Sequence, residues 1–294
     1  MIQNQFRTTA ILFALLWAIP ASADEVAIER GEYLLRAAGC ISCHTDVKNG
    51  GPPLSGGRPL KTPFGTFYSP NITPDQETGI GAWTDEDFVR ALRDGVRPDG
   101  AHYFPVFPYP SYARMTTSDM HDLKAYLFSI APVRREVPDH EVPFPFSWRF
   151  LQMVWKVLFF SSQEYVADTE RGSEWNRGAY VVQALAHCGE CHTPRNVLGA
   201  PNMELFLAGT PDGPDGELVP NITPDSQTGI GDWSKGDFVQ LLKSGLKPDF
   251  DDVQGSMYEA IEHGLKFLTA EDLEAVAGYI LSLDPISNRV AREK

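Results

Sequence analysis

Apolar residues recur at helical spacing in three stretches of this chain and then again in three more. From about Ala27 to Ala38, and from about Trp175 to Ala186, a tyrosine and its aliphatic neighbours fall on one face. A second stretch opens at Thr84 or Ser234, each with an aspartate three residues on, and closes at Gly95 or Gly245. Such a start offers side-chain oxygens to the free N–H groups of a first turn, and such a stop tolerates left-handed backbone. The third stretch begins at Thr116 or Thr269 and ends near Ile130 or Leu283, just before Pro132 and Pro285. Loops rich in Gly and Pro separate the stretches, so the pattern predicts an all-α chain of short helices.

One further apolar stretch has no counterpart. Between Trp148 and Phe160 the only polar positions are Arg149, Gln152 and Lys156, which share one helical stripe and leave a very wide apolar face. A helix of that length reaches ~20 Å, too short to cross a bilayer, which takes ~20 apolar residues. Its first reading is a belt packed between two halves of the molecule, its second an exposed dock for a partner subunit or a membrane surface. At the N-terminus, Arg7 precedes an apolar core from Ala10 to Ile19, and Ala21-Ser22-Ala23 supplies a small-x-small cleavage pattern. Residues 1–23 therefore read as a secretory signal, which places the mature chain in the periplasm.

The halves repeat each other in order. Arg30-Gly31-Glu32-Tyr33-Leu34 returns as Arg177-Gly178-Ala179-Tyr180-Val181, Asn71-Ile72-Thr73-Pro74-Asp75 as Asn221-Ile222-Thr223-Pro224-Asp225, and Thr78-Gly79-Ile80-Gly81 as Thr228-Gly229-Ile230-Gly231. Trp83 and Phe88 match Trp233 and Phe238, and Thr116, Asp119 and Tyr126 match Thr269, Asp272 and Tyr279. Only loop lengths differ. Two homologous domains follow, residues 24–135 and 170–294, joined by a linker at 136–169.

The 294 residues carry a formal charge of −14. That sign argues against nucleic acid or anionic lipid as partner and suits docking to a basic protein patch. All four cysteines lie in two pentads, Cys40-Ile41-Ser42-Cys43-His44 and Cys188-Gly189-Glu190-Cys191-His192. Two thiols separated by two residues reach the two vinyl groups on one edge of a porphyrin, and the adjacent histidine falls beneath the iron. The pattern is that of covalent haem c attachment, once in each half. A structural zinc site or paired disulfides would not call for a histidine after both pairs. Haem would also supply the core that such short helices lack.

The chemistry narrows to electron transfer or haem redox catalysis, with His44 and His192 as proximal ligands. Methionine is the usual sixth ligand of an electron-transfer haem. In the first domain Met115, past the Pro105, Pro108 and Pro110 run, is preferred to Met120, which falls inside a helix. In the second, Met257 is preferred to Met203, only eleven residues beyond His192. His102 and His263 are rival ligands; His121, His140 and His187 are the other free histidines. Met115 abuts its helix cap whereas Met257 precedes Thr269 by twelve residues, so the two distal loops differ.

The run from Ser69 through Asp75, Thr78-Gly79-Ile80-Gly81 and Trp83 to Phe88, followed by Gly100 to Pro105 and Pro108-Tyr109-Pro110-Ser111-Tyr112, resembles the cytochrome c subunits of membrane-associated alcohol, gluconate and sugar dehydrogenases. The resemblance covers nearly the whole mature chain and implies tandem class I cytochrome c domains. It implies a subunit that takes electrons from a dehydrogenase and passes them to a quinone, a cytochrome or an oxidase. It also implies Met115 and Met257 as axial ligands. Those subunits usually carry three haem domains and a C-terminal anchor, whereas this chain stops after its second domain with a short polar tail, Ser287 to Lys294. The expectation is a soluble or peripheral diheme carrier, an electron-transfer protein or dehydrogenase subunit more than a catalyst. The alternative is a diheme enzyme of peroxidase or thiosulfate-oxidising type, which needs one open or displaceable iron.

Overall fold

A computed structural model describes residues 22–291. The apolar core of the predicted signal, Ala10 to Ile19, lies outside the described residues. In the first half, α1 (Ala23–Ala37) leads through Gly39 into the one-turn α2 (Cys40–His44). A short antiparallel hairpin follows, β1 (Pro59–Thr62) and β2 (Gly65–Tyr68), with Pro59 opposite Tyr68. Then come α3 (Asp85–Asp94), α4 (Tyr109–Tyr112) and α5 (Thr117–Ser129). After α6 (Phe150–Phe159), the second half repeats the order without a hairpin: α7 (Ser173–Tyr180), continued by a wider turn over Val181–Leu185, and α8 (Gly189–His192). It closes with α9 (Lys235–Ser244), α10 (Gly255–His263) and α11 (Ala270–Leu281).

Caps set the helix limits. Thr84 and Asp87 exchange hydrogen bonds at the start of α3, as do Ser234 and Asp237 at α9, and the helices stop at Gly95 and Gly245 with φ of 62° and 76°. Thr116 accepts from the Asp119 N–H and Thr269 from the Asp272 N–H, opening α5 and α11. Each such cap is worth about 1 kcal/mol. α1 begins four residues before the predicted start, because Ser22 and Glu25 form a further reciprocal cap. The hairpin is the departure from an all-α pattern.

In each half the first and last helices cross at a glycine of the repeated Arg-Gly-x-Tyr segment. A Cβ on Gly31 would sit 2.0 Å from the Asp122 carbonyl oxygen, and one on Gly178 would sit 2.0 Å from that of Ala275. Only a bare backbone permits that approach of α1 to α5 and of α7 to α11.

The same helices join the halves by a reciprocal exchange. Tyr180 on α7 donates to Asp119 on α5 at 2.5 Å and accepts the Thr116 N–H at 3.1 Å. In mirror fashion Tyr33 on α1 donates to Asp272 on α11. Each aspartate is also paired within its own half, Asp119 with Arg30 and Asp272 with Arg177. Burying a carboxylate is tolerable where every lone pair has a donor. One hydrophobic core runs through both halves, from Leu34, Met115 and Leu127 to Tyr180, Leu242 and Ile280.

α6 turns its polar stripe inward. Lys156 is buried and its Nζ donates to the Asp94 and Gly95 carbonyls at 2.5 and 2.8 Å, closing the C-terminal end of α3. Arg149 donates to the His102 carbonyl at 2.9 Å. Trp155, 9 % exposed, packs with Tyr109 and Ala200 and donates to the Leu198 carbonyl, so it bridges the halves as a belt would. The opposite face stays open: Phe150, Met153, Val154, Val157 and Leu158 are all exposed. The two readings of this segment thus divide between its faces.

Candidate functional site

Each pentad follows a helix through backbone that an ordinary residue resists, Gly39 at φ 64° in the first half and His187 at φ 41° in the second. The turn then brings two thiols and an imidazole to one edge. His44 donates from Nδ1 to the Pro70 carbonyl at 2.8 Å, and His192 from Nδ1 to the Pro220 carbonyl at 2.9 Å. Because a carbonyl only accepts, each Nδ1 carries the proton and each Nε2 keeps its lone pair. Burial lowers both imidazoles below the ordinary histidine range, against the opposing pull of the carbonyl hydrogen bond. A neutral ring with one fixed tautomer is what a proximal iron ligand requires.

The repeated Pro-Asn-Ile-Thr segment places those carbonyls. Asn71 donates to the Val133 carbonyl at 2.7 Å, and Asn221 to the Ile286 carbonyl at 2.7 Å, so each loop is tied to the chain leaving the last helix of its half. The asparagine oxygens accept the N–H of Thr73 and Thr223 at 2.9 Å. From the other side, Gly56 and Gly209 donate to the carbonyls of His44 and His192 at 2.8 and 2.7 Å. The sequence shows this segment as a repeat but not its work, and its recurrence 26 and 28 residues beyond the two pentad histidines was the available signal.

The thiols suit haem better than zinc or a disulfide. All four cysteines are free. Burial pushes the Cys40, Cys188 and Cys191 thiols up to about 12. Among the described residues no group of three or more His, Cys, Asp or Glu converges as a metal cage. The donor set fits a haem joined by two thioethers and one imidazole in each half.

The two pentads meet at the join between the halves. The His187 Nε2 donates to the Ala38 carbonyl at 3.3 Å, where Tyr112 also donates at 2.7 Å. Ser42 donates to the Glu259 carbonyl on α10 at 3.3 Å, and Glu190 accepts from Ser111 on α4 at 2.7 Å. A cleft of about 560 Å³ reaches both Cys43 and Cys191 and opens beside Val154, Leu158 and Phe159 of α6.

The distal candidates separate. Met257 is half-buried in the first turn of α10, whose Ser256 N–H is held by the Glu217 carboxylate at 3.0 Å. Met115 is 0 % exposed and packs in the shared core between α4 and α5. Its neighbours face the second half, Thr116 toward Tyr180 and Arg114 toward Gln183 at 3.2 Å. Met120 is fully buried inside α5, and Met203 is 59 % exposed. His102 accepts from Lys156 at 2.9 Å and His140 from the Tyr68 N–H at 3.2 Å. His121 is exposed on α5, and His263 is the last residue of α10.

The sequence profile of the family Cytochrome c matches residues 28–131. The chain is 43 % identical over 255 residues to the diheme cytochrome c-type of Cereibacter sphaeroides, covering 85 % of this chain and 84 % of that one. The chain belongs to the cytochrome c family. This cytochrome is also 45 % identical over 266 residues to the fructose dehydrogenase cytochrome subunit of Gluconobacter japonicus, covering 90 % of it but only 54 % of the relative. To the gluconate 2-dehydrogenase cytochrome c subunit of Pantoea cypripedii it is 39 % identical over 269 residues, 89 % of this chain and 60 % of that one. The cytochrome thus spans a little over half the length of these two dehydrogenase subunits. No helix among the described residues is long and apolar enough to cross a membrane.

Proposed function

We propose that this cytochrome is a periplasmic diheme electron carrier. It comprises two class I domains, 24–135 and 170–294, joined by the 136–169 linker and exported by the 1–23 signal. It takes single electrons from a dehydrogenase partner and passes them to a respiratory acceptor, a quinone, a cytochrome or an oxidase. The observation that carries this reading is the paired histidine clamp, His44 on Pro70 and His192 on Pro220, beside two thiols in each half. Haem c bound there supplies an iron that changes charge by one electron without a change of covalent partner. The chain's own residues do the rest. Cys40, Cys43, Cys188 and Cys191 fix the ring edges, His44 and His192 hold the proximal positions, and Met257 offers its sulfur on the distal side of the second.

The relatives named as dehydrogenase subunits support the donor. The donor docks on the open face of α6, where Val157 is 81 % exposed although the helix's charged residues are turned inward. That face continues into the cleft reaching Cys43 and Cys191, so a protein seated there lies against both haem edges. The net charge of −14 disfavours an anionic membrane as the occupant. The test is to mix purified holoprotein with a reduced sugar or alcohol dehydrogenase and follow haem reduction by stopped flow. Rapid, saturable reduction of both haems supports the carrier. Haems that stay oxidised beside every such donor while the protein consumes peroxide or thiosulfate would replace it with the enzyme reading.

A further inference from the structure

We infer that the first haem site has no protein ligand at its sixth position and is a binding site for a small neutral diatomic ligand such as carbon monoxide or nitric oxide. The inference rests on the reading that a haem is held at each pentad.

The two halves keep register with each other beyond the tryptophans. Trp83, Phe88, Val89 and Gly95 match Trp233, Phe238, Val239 and Gly245 at a constant separation of 150. Backbone geometry carries that register onward, because the bridge between Val96 and His102 recurs as the bridge between Leu246 and Asp252. Continued by five residues, it sets Phe107 where the second half has Met257. The separation reaches 153 only at the caps Thr116 and Thr269, the extra residues falling in α10, which has nine residues where α4 has four. At that later register Met115 stands opposite Leu268, which is 6 % exposed and, like Met115, part of the shared core.

Free surface agrees with the register. Phe107 and Met257 are both half-buried and packed against the edge of the core, as are Trp83 with Trp233 and Val89 with Val239. Met115, by contrast, is 0 % exposed and enclosed by the shared core. His102 does not substitute, since it matches Asp252 and its Nδ1 is taken by Lys156. The Phe107 ring is fixed by Tyr103, Tyr112 and Tyr109, at centroid distances of 5.1, 5.7 and 6.4 Å. A phenyl ring has no lone pair to give iron. An aromatic wall favours neutral diatomics over anions, because distal polarity decides which ligands bind.

The experiment compares exported holoprotein with Phe107→Met, Met115→Leu and Met257→Leu. Mass and haem content are measured first, since a chain without two haems fails the underlying reading and not this inference. Carbon monoxide titration of the ferrous protein and the far-red sulfur-to-iron band of the ferric protein are then the readouts. The inference expects one carbon monoxide per two haems in the wild type and in Met115→Leu, with the band unchanged between them. It expects none in Phe107→Met, whose band doubles, and two in Met257→Leu, whose band is lost. A wild type that binds none, with Met115→Leu opening one haem, would overturn it and return Met115 to the iron. Phe107→Met that still binds one carbon monoxide, with no new band, would equally overturn it.

Discussion

Replacing Tyr180 by Phe tests whether the halves are held together by the reciprocal tyrosine–aspartate exchange. The phenol gives Asp119, which is 2 % exposed, a hydrogen bond at 2.5 Å and takes the Thr116 N–H at 3.1 Å. A hydrogen bond to a charged group contributes ~1.5–3 kcal/mol, and a buried donor left without a partner costs about 1 more. The substitution removes one oxygen and leaves the ring's packing in place, so the expected loss is about 2.5–4 kcal/mol. Tyr33→Phe is the internal control. Its phenol lies 3.5 Å from the Thr269 N–H, and Asp272 keeps both bonds to Arg177, at 2.7 and 2.6 Å. Its removal should cost about 1–2 kcal/mol. Urea unfolding of the holoprotein, followed by tryptophan fluorescence and haem circular dichroism, measures both. A loss below about 0.5 kcal/mol for Tyr180→Phe, or a larger one for Tyr33→Phe, would refute the reasoning.

Val157→Asp with Leu158→Asp, on the open face of α6, should weaken association with the donor dehydrogenase at least ~10-fold, since each removes a buried aliphatic contact on docking, and leave melting unchanged; biosensor binding and calorimetry read the two effects. Trp155→Ser, on the inner face, should instead lower the melting temperature, because that ring bridges the halves. Burial pushes the Lys156 ammonium down to about 8. Between that pH and ~10.4 the unfolded chain holds a proton the folded one has released, so stability should rise with pH through this window. Lys156→Met should flatten that rise in thermal melts taken across it. Glu217→Ala frees the Ser256 N–H at the start of α10 and should weaken the sulfur-to-iron band of the second haem, while Glu217→Gln should largely keep it.

The helices were legible because their punctuation is chemical. Thr84 with Asp87 and Ser234 with Asp237 announce starts, and Gly95 and Gly245 announce stops, whatever surrounds them. What depended on tertiary partners was hidden. Arg149, Gln152 and Lys156 read only as one polar stripe, and nothing local shows that Lys156 is drawn inward by the open carbonyls at the end of α3, 62 and 61 residues earlier in the chain. The hairpin at 59–68 is too short to show an alternating pattern. Pro70 and Pro220 act through backbone carbonyls, which no side-chain motif advertises. Met115 was read from its place after a proline-rich loop, and the spacing of 150 that relates the tryptophans also pairs Met257 with Phe107.

The central claim is a covalent haem at each pentad, cycling by single electrons. Intact mass of the purified holoprotein combined with a spectroelectrochemical titration decides it. The expected result is a mass of one chain plus two haems, no alkylatable thiol, and two one-electron waves. A mass with one haem or none, four reactive thiols, or a single wave for the whole molecule would contradict it.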